Sequence, residues 1–208
     1  MAGLSDSTKA VFRSTVNGLR ERLLLDLVEA VERRYSPGIR DRSKIRLSAL
    51  DAERWRELEA WLASPERPHK DRDANLRILV KERAYTLVNR LVILFQLEER
   101  GLRQIKLVSR GVEGSEFGRY TEFFQSLVRD EDRGWTYVLD QVWDQLAGEL
   151  PALFARHEHL EWIPLPGPTL LWAIDQLAAP ELSGAWTDDT TLGWLYQYWN
   201  DPARKAVD

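Results

Sequence analysis

The chain has no cysteine. That excludes a disulfide framework, a thiolate metal site and a thiol nucleophile, and it fits a reducing compartment. Histidine is nearly as scarce, with three residues in 208. His157 and His159 are neighbours but one, and two such side chains on a helix point apart. His69 stands far off, just after Pro68, so the four ligands of a zinc site are not at hand. No Gly-x-Ser-x-Gly elbow and no Gly-x-Gly phosphate loop occurs, and the sequence contains no Pro-Pro. The most apolar run, Leu91 to Leu97, is far shorter than the roughly 20 residues of a membrane span, and Asn89, Arg90, Glu98 and Glu99 flank it. The first residues, Met1 to Thr8, lack the apolar segment of a signal peptide. A soluble, cytoplasmic chain without membrane partners is expected.

What is present is helix. At 208 residues, 44% hydrophobic and 30% charged, the chain is long and apolar enough for one folded domain. A domain of this size removes roughly 70% of its unfolded surface from water. The net charge of −4 speaks against coating nucleic acid through an overall field, while leaving room for a local basic patch. No stretch alternates with period 2, and no hairpin signal joins two apolar runs. An all-α fold follows, an irregular array of about six to eight helices around a central one near residues 73–100.

Phe12, Val16, Leu19, Leu23, Leu27 and Val31 recur every three or four residues, which predicts a helix over 8–35 ended by Pro37-Gly38. A helix near 51–63 carries Trp55, Leu58, Trp61 and Leu62, with Ser48 and Asp51 spaced as a capping box. The central helix is apolar on nearly every side from Ala84 to Leu97, so other helices should surround it. Arg90 lies within that run and needs a carboxylate, a helix C-terminus or a solvent channel. Gly101 closes it. Residues 103–119 read as an exposed, mobile connection into a helix near 120–129. Further helices are predicted over 135–150 and 168–178, separated by Pro151 and by Pro164, Pro166 and Pro168.

Two stretches are candidates for contact. Between residues 33 and 46, Arg33, Arg34, Arg40, Arg42, Lys44 and Arg46 face a single acid, Asp41, around a Pro-Gly turn. Guanidinium forks match phosphate oxygens, so these six are candidate DNA-backbone contacts. The plainer alternative is a solvated loop paired with nearby acids. The other stretch is the closing helix, 187–200, in which Trp194 to Trp199 is broken only by Gln197. Leu192, Leu195, Tyr196 and Trp199 have the spacing of a core face, with Thr187 or Asp188 as the cap. Trp194 and Tyr198 then form an outward stripe, free to contact another domain.

Three strings also carry a resemblance. Ala84 to Leu102 holds an aromatic, Asn89-Arg90-Leu91, an apolar run, Glu98 and Gly101. Gln145 to Phe154 reads QLAGELPALF, and Leu192 to Tyr198 reads LGWLYQY, followed by an aromatic and Asn200. In this order they resemble the amino-terminal helical domain of large adenine-specific DNA methyltransferases of phage-defence systems. These are the BREX or phage-growth-limitation type, with related DISARM and fused type II enzymes. The resemblance implies a single helical N-terminal domain over 1–200, with 201–208 opening a connector to a methyltransferase domain. That domain would bind S-adenosylmethionine and methylate N6 of a flipped adenine in duplex DNA. Its Gly-containing cofactor loop and Asn-Pro-Pro-Tyr motif do not occur here, so no catalytic, cofactor-binding or metal residue is assigned in this chain. The implied partners are that domain, fused or as a separate methylase subunit, and DNA through the whole enzyme. Without the resemblance, the same residues describe a free-standing helical adaptor that binds protein.

Overall fold

The first predicted helix forms as one unbroken 30-residue rod, α1, Asp6–Tyr35. Ser5 caps it, its hydroxyl accepting from the Thr8 amide at 3.1 Å. The six apolar residues of its predicted stripe are all fully buried. Gly18 causes no break, since the helix runs through it. The computed structural model describes residues 3–36, 47–117 and 131–205, with backbone only for 202–205.

Among these residues the fold is all-α, with nine α-helices and one 3-10 segment and no strand. After α1 come α2 (Ala49–Leu62), α3 (Arg72–Glu99), the single turn α4 (Gly111–Gly114) and α5 (Trp135–Glu149). The short turns α6 (Pro151–Phe154) and α7 (Glu158–Glu161) lead to α8 (Gly167–Leu177), a 3-10 segment (Pro180–Ala185) and α9 (Thr191–Lys205). The helix expected near 120–129 lies outside the described residues.

The central helix is α3, as its all-round apolar sequence requires. It packs against α1, α2, α7, α8 and α9. From Ala84 to Phe95 it buries Ala84, Leu87, Val88 and every residue from Leu91 to Phe95. It ends on Gly101, whose φ of +70° is open to glycine without strain. The Leu102 amide then turns back onto the Leu97 carbonyl at 2.9 Å. On α2, Ser48 caps as predicted, accepting from the Asp51 amide. Its Leu58 and Leu62 are buried, while Trp55 and Trp61 are only half-covered. The α5 stripe is buried up to Leu146, but Leu150 turns outward where Pro151 restarts the helix.

Residues 104–117 correct the expectation of an exposed connection. Leu107 and Val108 are fully buried and Phe117 nearly so, stacked on Trp135 at 4.7 Å. The cause is Glu98, a carboxylate with no exposed surface at the end of α3. It accepts from the backbone amides of Leu107 and Ser109, both at 2.9 Å, and of Val108 at 3.1 Å. A single side chain thus fixes three successive peptide units that would otherwise orphan their donors in the core. Burial lifts the Glu98 carboxyl above the ordinary carboxylate range, and the amides of Ser109, Leu107 and Val108 pull it partly back. Next along, Gly111 sits at φ +72° against α8, and the Val112 amide donates to Asp175 at 2.8 Å.

No helix among the described residues is long and apolar enough to cross a membrane.

Candidate functional site: two contact surfaces and a buried ionic cluster

Of the six basic candidates, the structure places two. Arg33 and Arg34 stand in the last turn of α1, where cations suit the helix dipole. Arg33 leans on Glu29 at 3.5 Å, and Arg34 pairs with Asp51 at 2.8 Å, tying α1 to the start of α2. Both guanidinium groups remain partly open to solvent. Arg40, Arg42, Lys44 and Arg46 lie outside the described residues.

The closing helix is turned relative to expectation. Leu195 and Trp199 are buried as predicted, but Leu192 and Tyr196 face outward, Tyr196 with 63% of its surface exposed. Tyr198, expected outside, is buried, and Trp194 is half-covered. The buried positions Thr191, Leu195, Tyr198 and Trp199 still form one helical face, displaced by part of a turn. What turns it is α1. Tyr198 packs edge-on to Phe12 at 6.1 Å and carries Arg13 over its ring at 5.8 Å. Trp194 stacks on Tyr198 at 5.5 Å, under the Lys9 ammonium at 5.1 Å. Trp194 and Tyr198 therefore do not form a free outward stripe. They are stapled to α1 by two cations, each such contact being worth about 0.5–1 kcal/mol near a surface.

A proline sets up a second link between these helices. Pro202 lies inside α9 and has no amide hydrogen, so the Tyr198 carbonyl loses its donor four residues on. The buried Arg20 of α1 replaces it, donating to the carbonyls of Tyr198 and Trp199 at 3.2 and 3.1 Å. At the other end of α9 the cap lies later than predicted. Asp188 accepts from the Thr190 amide at 2.7 Å, and the helix begins at Thr191. Gln96 of α3 and Arg100, which follows it, hold this turn through the carbonyls of Asp188 and Thr187, and Arg100 also pairs with Asp189 at 2.7 Å.

Arg90 meets the need its burial creates. Its guanidinium donates to the carbonyls of Leu153 and Ala155, at 3.2 and 2.8 Å, at the C-terminal end of α6. A helix end that would otherwise leave carbonyls unpaired is thereby closed by a cation. Nearby gather Arg83, Asp140, Arg156 with Asp144, and Glu161. Arg156 grips Asp144 through two bonds of 2.7 Å. Burial penalises the charged forms of Arg83 and Arg90. It also raises the Asp140 carboxyl, with Glu161 repulsion adding to the effect. Arg83 carried no signal in the sequence, because Lys81-Glu82-Arg83 reads as a solvated face.

Two of the three histidines gather too. The rings of His157 and His159 lie 5.8 Å apart, and His159 meets Glu82 at 3.2 Å beside Trp61 and Trp162. Among the described residues no group of three or more His, Cys, Asp or Glu side chains is placed to hold a metal. No family model, curated protein or solved structure matches the chain.

Proposed function

We propose that this chain is the non-catalytic, helical amino-terminal module of an S-adenosylmethionine-dependent DNA adenine N6-methyltransferase of a phage-defence or restriction-modification system. It braces the catalytic domain and contacts the DNA backbone through the basic stretch around Arg33 to Arg46. The observation that carries the reading is where the three family-like strings meet. Arg90 of the first donates to the Leu153 carbonyl of the second. Tyr85 of the first lies 5.4 Å from Trp199, which directly follows the third. Residues far apart in sequence, singled out only by resemblance, thus form one packed unit around α3. Packing of this kind is what a shared structural signature requires, and it supports the reading.

In this role the module does no chemistry. S-adenosylmethionine and the flipped adenine belong to the catalytic domain or subunit, and the protein works in the cytoplasm. The brace is assigned to the outward side of α9, where Leu192 and Tyr196 are exposed, in place of Trp194 and Tyr198, which are spent on α1.

The gene itself supplies the test. A reading frame that runs on from the Asp208 codon into an Asn-Pro-Pro-Tyr motif, or an adjacent methylase gene, supports the proposal. Neither being present contradicts it and favours the free-standing adaptor.

A further inference from the structure

The weak point of α9 is the turn that ends in Pro202. The proline denies the Tyr198 carbonyl its donor, and a proline ring inside a helix also crowds the carbonyl four residues back. Helices bend at such places. Yet α9 runs on to Lys205. Two arginines of α1 meet it on either side of Tyr198. Arg20 donates to the carbonyls of Tyr198 and Trp199 at 3.2 and 3.1 Å. Arg13 pairs at 2.6 Å with Asp201, the residue directly before the proline, and lays its guanidinium over the Tyr198 ring. Arg20 is buried, and the Asp201 side chain keeps only 17% of its surface exposed. Contacts so enclosed are screened less than open surface pairs. Helix α1 is buried along one whole stripe, so whatever it grips is tied to the core of the molecule.

We propose that the turn from Tyr198 to Pro202 is a locked hinge, held by Arg13 and Arg20, that fixes the direction in which α9 leaves the helical core. The proline supplies the place where the helix can bend, and α1 holds it at one angle. Beyond the hinge α9 is then a stiff lever, not a loose tether. The lock stands on the contacts between α1 and α9 alone. What the lever aims rests on the methyltransferase reading, under which it is the catalytic domain.

Because the chain has no cysteine, two spin labels can be placed at chosen positions. One is attached through Lys205→Cys at the end of α9, the other through Gln141→Cys, at an exposed position on α5. Double electron–electron resonance reads the distribution of distances between them. A single narrow distribution is expected with both arginines in place, and one about twice as wide in Arg13→Ala/Arg20→Met, where the hinge is free. Arg13→Ala alone, a change to a half-exposed side chain, keeps the fold and gives an intermediate width. A broad distribution with both arginines in place overturns the lock, as does one that stays narrow in both variants. None of these outcomes depends on methyl transfer. Failure of the methyltransferase reading shows separately, as an intact protein that methylates no adenine.

Discussion

Replacing Glu98 by glutamine tests whether one carboxylate holds residues 107–109 in the core. The two oxygens of Glu98 together accept from three backbone amides, with Oε1 facing Leu107 and Oε2 facing Ser109. Glutamine keeps one accepting oxygen. Its other end is an amide nitrogen that only donates, so either Leu107 or Ser109 is left without an acceptor and faces another donor. A hydrogen bond to a charged group is worth about 1.5–3 kcal/mol, and an unsatisfied buried donor costs about 1–3 kcal/mol. Against this stands the relief of burying a neutral group, so a net loss of about 2 kcal/mol is expected. For a chain of this size, with an m-value of about 2–3 kcal/mol/M, the urea midpoint falls by about 0.7–1 M. Local opening at Leu107 to Ser109 becomes about thirtyfold more frequent, which amide hydrogen exchange reads residue by residue. An unchanged midpoint with unchanged exchange at these three amides would refute the latch.

Arg20→Met orphans the Tyr198 carbonyl and costs about 1–3 kcal/mol in urea unfolding. Pro202→Ala restores the missing amide, so the double variant recovers at least about 1 kcal/mol of that loss, whereas simple additivity of the two changes contradicts the linkage. Gly167→Ala drives a methyl to 2.6 Å from the Asp132 Cβ, in the turn that caps α5 through the Gly134 and Thr136 amides. Overpacking of about 1–3 kcal/mol lowers Tm by about 3–10 °C, and an unaltered Tm rules out the close approach. Asp140→Asn isolates the raised carboxyl of the ionic cluster. A group whose folded value lies above its unfolded one contributes stability that is present below the unfolded value and lost as pH rises through the folded one. The wild type therefore gains on Asp140→Asn as pH falls from neutrality through the carboxylate range. A gain that grows with rising pH would reverse the assignment.

The long helices were legible because a single periodic stripe dictates each of them. Phe12 to Val31 on α1, and Leu170, Ile174 and Leu177 on α8, are buried as their spacing requires. The fate of Arg90 was legible as well, since a charge inside an apolar run leaves few outlets and a helix C-terminus is one. The orientation of α9 was not. Both of its sides are aromatic, so spacing alone cannot choose between them. The choice falls to Phe12 and two cations on α1, about 180 residues away in the chain. Residues 104–109 were misread for a related reason. Their place in the core is set by one acid on another element, not by any pattern within the segment. Arg83 shows the limit at the candidate site, where a guanidinium that looks solvated in sequence lies against a cavity that α5 and α8 also line.

Adenine methylation by an attached domain or subunit, as proposed for this chain, can be measured directly. The intact native protein, captured from its own cells with everything covalently or tightly attached to it, can be given duplex DNA and radiolabelled S-adenosylmethionine. Label recovered in N6-methyladenine is the predicted result. Capture of an intact, folded protein that transfers no label to adenine in any duplex containing the host's own methylated sites would contradict it.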